Sequence, residues 1–170
     1  IAFITNTTNL HVKTAIKLAN ANIHIFIEKP LSNSTKDVKL LLNTIKRRKL
    51  VTMMGCVLRF HPAIQKIKEI ISENKIGKII SVHVENGSYL PDWHTNEDYK
   101  KNYASRSDLG GGVVLTNIHE LDYLYWFFGN VDEVFSITGK FSDLEIDVED
   151  LSSILLRFKN NIVAEAHLDY

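Results

Sequence analysis

Ile23-His24-Ile25-Phe26-Ile27-Glu28-Lys29-Pro30 is the stretch on which the reading of this chain turns. Its apolar run reads as a strand covered on both faces, as strands of parallel sheets are. A lysine at the C-terminal end of such a strand lies where open α/β sheets bind ligands. The proline after it fixes the local backbone, so the ammonium is placed rather than left trailing in solvent.

The surroundings carry the same pattern. Residues 1–5 read as a strand, and Asn9 is the expected N-cap of a helix reaching about Ala21, with Val12, Ala15, Ile16 and Ala19 on one face. Ser34 is the expected cap of a second helix, with Val38, Leu41, Leu42 and Ile45 as its buried stripe, and 51–54 reads as a third strand. This β-α-β-α-β order predicts parallel strands with right-handed crossovers.

Gly55 marks a change of pattern. The spacing predicts a helix with Pro62 in its first turn and Ile64, Ile67, Ile70 and Ile71 inward, then a long strand from Lys78 to about Leu90. An aromatic-rich stretch without periodicity, 89–103, precedes a helix over 118–128 that stops at Gly129. Strands are expected at 133–139, 151–158 and 162–168, the last two joined by a tight turn at Lys159-Asn160-Asn161. The fold class is therefore α/β. Residues 1–55 form a partial Rossmann-type, doubly wound parallel sheet, and 56–170 an α+β domain with an open, mainly antiparallel sheet.

Composition narrows the function. The chain has 170 residues, 45% hydrophobic and 24% charged, with zero formal net charge, so nothing favours nucleic acid as a partner. The basic run Lys46-Arg47-Arg48-Lys49 suits the negative end of a helix dipole. No apolar stretch approaches the roughly 20 residues of a membrane span. The single cysteine, Cys56, fits a reducing compartment, and the cytoplasm is the expected location. The chain opens without methionine inside a core-like strand, which points to a fragment of a longer protein.

The chemistry centres on Gly110-Gly111-Gly112-Val113-Val114-Leu115-Thr116-Asn117-Ile118-His119-Glu120-Leu121-Asp122. The triplet reads as a flexible loop, and Asn117 with Glu120 as a capping-box-like helix start. His119 then lies in the first turn, where the positive end of the dipole disfavours the imidazolium. Asp122, three residues on, is placed to orient the ring or offset the dipole. A neutral histidine near a cationic lysine suits oxidation of an alcohol: histidine takes the hydroxyl proton and lysine stabilises the developing alkoxide. Neither accepts a hydride, so a nicotinamide is required. The local alternative is a satisfied helix-start histidine. No ligand spacing among His83, His94 and His119 supports a metal site.

The chain resembles the glucose–fructose oxidoreductase/inositol dehydrogenase family of nicotinamide-dependent sugar and polyol dehydrogenases. The resemblance rests on the segment from Thr5 to Leu31 with His11 and Glu28-Lys29-Pro30, on Gly55–Pro62 with Arg59, on the glycine triplet with His119 and Asp122–Gly129, and on the C-terminal stretches 148–158 and 166–170. It implies NAD or NADP as cofactor, Lys29 and His119 as catalytic residues, and Thr5, Asn6, His11, Glu28, Lys29 and Arg59 as cofactor contacts. Tyr89, Trp93, His94, Tyr99, Asn117 and His119 would face a sugar, polyol or sugar-nucleotide substrate, and the open sheet would join copies into a homo-oligomer. The chain departs from the family pattern in two places. Thr116 and Leu115 stand where the family usually carries an aspartate or asparagine, and the Gly-x-Gly-x-x-Gly turn would precede residue 1. These departures leave two alternatives: a non-catalytic sugar or nucleotide sensor on the same fold, or an inactive fragment.

Overall fold

The computed structural model describes residues 1–170. Strands β1 (Ala2–Ile4), β2 (Ile25–Ile27) and β3 (Thr52–Met54) form a parallel sheet in the order β1-β2-β3. Helices α1 (His11–Asn20) and α2 (Val38–Arg48) supply the crossovers. Ile4, Ile25 and Ile27 meet Val12, Ala15, Ala19 and Leu41 in one buried cluster. Within residues 1–170 the two helices cover one face of the sheet. Phe3 and Met53 are exposed on the other, where Phe3 and Phe26 stack at 5.4 Å, and Leu42 points outward at 57% exposure.

The expected caps are also corrected. A short 3-10 turn, Thr8–Leu10, precedes α1, and Asn9 spends its amide on the Asp108 carbonyl at 2.8 Å instead of capping. Ser34 accepts from the Lys36 N–H, in a turn ahead of α2. Helix α3 (Pro62–Ser72) does carry Pro62 in its first turn, with His61 Nδ1 accepting from the Ala63 N–H. Its isoleucines are only partly covered, and Ile67 is 43% exposed.

The second sheet is mixed, in the order β4-β7-β6-β5, with β4 (Ser81–Gly87), β5 (Val131–Gly139), β6 (Leu151–Phe158) and β7 (Val163–Asp169). Two of its three pairings are antiparallel, while β4 runs parallel to β7. Alternation turns Ile154, Leu156, Phe158, Ala164, Ala166 and Leu168 inward. Against them pack Val113 of the one-turn helix α4 (Val113–Thr116), and Leu124 and Phe128 of α5 (Ile118–Phe128). The hairpin between β6 and β7 turns on Asn161 at φ 63°. The opposite face carries exposed Phe135, Ile137 and Leu155 beside His83, Glu85, Glu165 and His167. No helix is long and apolar enough to cross a membrane.

Phe158 is fully buried at the centre of this core, edge-on to Phe128 at 5.5 Å. Truncation leaves a cavity that the two flanking strands cannot fill. Phe158→Ala is expected to cost about 3–5 kcal/mol in a urea unfolding titration.

Candidate active site

The two sheets meet at the C-terminal ends of β1 and β2. There a cleft of about 280 Å³ is lined by Thr5, Asn6, Thr7, Thr8, His11, Glu28, Lys29 and Tyr103. Thr5 and Asn6 stand exposed at the end of β1, and Glu28 and Lys29 are half-buried at the end of β2. The Lys29–Pro30 peptide is cis. A Cβ on Gly55 would lie 2.7 Å from the Glu28 carboxylate, so the glycine after β3 lets that side chain fold against the backbone. A larger groove of about 720 Å³ between α3, β4 and α5 is mainly apolar, lined by residues such as Ile70, Val82 and Phe127, with Lys78, His83 and Tyr123 among them.

Lys29 is fixed across the junction: its Nζ donates to the Thr116 carbonyl at 2.7 Å. Thr116 is held in turn by the Tyr170 hydroxyl, which donates to Oγ1 at 2.8 Å. The glycine triplet makes this approach possible, and it is packed rather than flexible. All three glycines are buried. A Cβ on Gly111 would lie 2.3 Å from the Tyr103 carbonyl oxygen, and Gly112, at φ 104°, lies against the Glu149 carboxylate. Glu149 accepts from the N–H groups of Val113 and Val114, so it caps α4 from a distant loop.

His119 lies in the first turn of α5, half-buried, with Nδ1 out of solvent and unpartnered. Burial lowers its pKa, and the Lys29 charge lowers it further against weaker pulls from Glu28 and Asp122. Burial likewise lowers the Lys29 pKa, partly offset by Glu28 and Glu120. The pair is thus tuned toward a neutral imidazole beside an amine whose charge is under strain.

Two of the expected supports act elsewhere. Asp122 does not orient the ring: Arg59 Nε and Nη2 grip its carboxylate at 2.8 and 2.6 Å, with the guanidinium 5.7 Å from the Trp126 ring. This clasp raises the Arg59 pKa, and it ties the crossover after β3 to α5. Nor does a capping box form. The Asn117 N–H bonds the Val113 carbonyl, Asn117 Nδ2 is buried without a partner, and Glu120 accepts from Asn86 of β4. Cys56, close by, has its thiol pushed up to about 11 by burial and by Asp122.

The remaining candidates divide. His11 lines the cleft, but its two nitrogens face the Pro30 and Asn6 carbonyls at 2.8 Å each, pinning the first turn to the second. Trp93 and Tyr99 join Leu90, Ala104 and Leu144 in a small core. The Trp93 N–H donates to Ser88, and the Tyr99 hydroxyl accepts from the Glu145 N–H. They anchor the 89–103 loop. Tyr89 and His94 stand exposed on it. Tyr103, the last residue of the aromatic-rich stretch, reads from sequence as lining a pocket, whereas Tyr170 and the place of Glu120 at the site give no sequence signal. Tyr103 lines the cleft, its phenol pushed up by burial and Glu28, with Thr116 working the other way. Tyr170 holds Thr116, and the Glu120 charge partly offsets the burial of Lys29.

Two family models match the chain: "Oxidoreductase family, NAD-binding Rossmann fold" over residues 1–56, and "GFO/IDH/MocA C-terminal domain" over 64–170. Levoglucosan dehydrogenase of Pseudarthrobacter phenanthrenivorans is 28% identical over 94% of this chain and 46% of its own length. Myo-inositol 2-dehydrogenase of Thermotoga maritima is 30% identical over 92% of this chain and 46% of its own length. The chain thus spans about half the length of these curated relatives. The WlbA dehydrogenase of Bordetella pertussis, solved with NADH and UDP-GlcNAcA, superposes with a TM-score of 0.86 at 21% identity, covering 98% of this chain and 47% of that one, a likeness of fold.

His119 titrates below the ordinary 6.5, so between that lowered value and 6.5 the unfolded chain binds more protons than the folded one. Its contribution to stability is therefore whole above 6.5 and falls as pH drops through that window. Lys29→Met removes the nearby positive charge, and the His119 midpoint followed by NMR is expected to move up.

Proposed function

Because the chain belongs to the GFO/IDH/MocA oxidoreductase family, we propose that it serves the reversible oxidation of a secondary alcohol on a sugar, polyol or sugar nucleotide, with NAD or NADP as the hydride carrier. The observation that carries this reading is the fixing of Lys29 on Thr116, three residues before a His119 held toward its neutral form. The cleft suits the nicotinamide half of such a cofactor. It is walled by hydroxyls and an amide, and at about 280 Å³ it has room for a ring and a ribose rather than a whole dinucleotide. Thr5, Asn6 and Glu28 are the side chains to hold that half, with His11 pinning the turns at the cleft wall and Arg59 clasping Asp122. Bound nicotinamide supplies the two-electron acceptor that neither lysine nor histidine can be.

The protein's own work is proton and charge management. Lys29 donates to the substrate oxygen and stabilises its developing negative charge, while His119 receives the hydroxyl proton on its imidazole. Asn117, with its amide buried and unpartnered, is a candidate donor to a substrate hydroxyl. Tyr89 and His94, on the exposed rim, and Trp93 and Tyr99 beneath them, shape the substrate side. Self-association through the open face of the second sheet fits its exposed Phe135, Ile137 and Leu155.

Calorimetric titration of the intact protein with NADH and NADPH tests the cofactor reading, and binding of at least one is expected. In the intact protein, Lys29→Ala and His119→Ala are each expected to lower turnover by about 10²–10⁴-fold with cofactor binding kept. Binding without any turnover on polyols and sugars would assign a sensor, a reading that Thr116 and Leu115 at the expected carboxylate positions favour. Phe135→Glu is expected to reduce the sedimentation coefficient to that of a monomer; an unchanged value would refute the sheet interface.

A further inference from the structure

Glu120 is a buried acid on the inner side of α5, 7% exposed. Its Oε1 accepts from Asn86 Nδ2 at 3.0 Å, while its Oε2 has neither solvent nor partner. An unmade hydrogen bond of this kind costs about 1–3 kcal/mol, more for a charged group, so packing alone does not explain the carboxylate. Lys29, whose Nζ is anchored on the carbonyl of Thr116 four residues before Glu120, is the cation whose charge favours the ionised form of this acid. The titratable groups around that ammonium are Glu28 at the end of β2, His11 and Tyr103 of the cleft wall, Cys56 of the crossover, and His119 and Glu120 of α5. Around Glu120 stand Lys29, Tyr123 one turn further on, and the uncharged Asn86 of β4.

We propose that Glu120 is the positioning carboxylate of the site, keeping Lys29 an ammonium aimed along the cleft while His119 beside it remains neutral. This rests on the roles given above to Lys29 and His119. The geometry divides the labour between two acids. Glu28 lines the cleft itself and is close to any bound ligand, whereas Glu120 acts from behind, through Lys29, out of contact with solvent. Burial works against charge on Lys29 and on Glu120 alike, and each offsets the loss for the other. The Asn86 bond then sets where the negative charge sits, so β4 of the second sheet reaches the chemistry of the first.

The test is trace acylation of Lys29 with acetic anhydride in the intact protein, followed by mass spectrometry across pH. Reaction follows the neutral amine, so the curve yields a midpoint and a high-pH plateau. Glu120→Gln keeps the shape and the Asn86 bond but removes the charge. It is expected to raise Lys29 labelling at fixed pH below the midpoint by roughly threefold or more, through a lowered midpoint, with the plateau unchanged. Glu120→Asp is expected to restore most of the wild-type curve. An unmoved midpoint, or a raised plateau alone, which loosened packing would give, overturns the proposal. Should Glu120→Gln not fold, Asn86→Ala serves: it removes the donor to the carboxylate, and a smaller shift in the same direction is expected, with no shift counting against the proposal. Failure of the same samples to bind NADH or NADPH would sink the functional reading instead, because the labelling curve needs no cofactor.

Discussion

The hydrogen bond from Lys29 Nζ to the Thr116 carbonyl is the constraint around which the rest is arranged. It joins the end of a parallel strand to the start of a helix that packs on a different sheet, so both must be fixed before it can form. A charge-assisted bond of this sort is worth about 1.5–3 kcal/mol, too little to hold two layers together. Its importance is geometric. Tyr170 at the end of β7 holds Thr116, the glycine triplet lets its backbone run against 103–104, and His11 ties the turn after β1 to Pro30. Each of these contacts serves to put one ammonium on one carbonyl.

Around that bond, charge is apportioned by pairing. Asp122 lies one turn from His119 and, left free, would draw a proton onto the ring. Arg59 takes that carboxylate in a two-pronged bond and keeps its pull on His119 a minor one. The imidazole therefore answers mainly to burial and to Lys29. Cys56, in the same neighbourhood, is held toward its thiol form by burial and by Asp122.

Much of this was legible in the sequence wherever a single face of a single element was at stake. The parallel order of the first three strands, the helix over 118–128 with its stop at Gly129, and strand 151–158 follow from periodicity and end signals, and Lys29 is bonded to Thr116, three residues before His119, whose ring it acts on. What misled was local grammar applied to residues with distant partners. Asn9 reads as a cap but bonds Asp108; Glu120 reads as half of a capping box but bonds Asn86; Asp122 reads as a histidine's partner but belongs to Arg59. In each case a tertiary contact outcompetes a backbone N–H a few residues away. The triplet reads as flexible because glycine permits motion, whereas here it permits close approach. On the first sheet, Phe3 and Met53 show apolar side chains with nothing from residues 1–170 over them, since apolar sequence records what a strand can bury and not what lies over it.

The mixed sheet has a consequence for how the chain acquires its shape. Strand β7 lies between β4 and β6, and its residues emerge during synthesis after those of both neighbours. The hairpin of β6 and β7 forms from nearby residues, but β4, whose one partner in the sheet is β7, must wait until Val163 arrives opposite Ser81. Pairing of such distant segments is slow to nucleate, and an open strand is exposed to wrong partners meanwhile. Tyr170 follows directly after β7, so the hydroxyl that steadies Thr116 comes into play only once the insertion is complete. The same event that closes the sheet thereby braces the reactive lysine, and a chain stalled short of it holds neither.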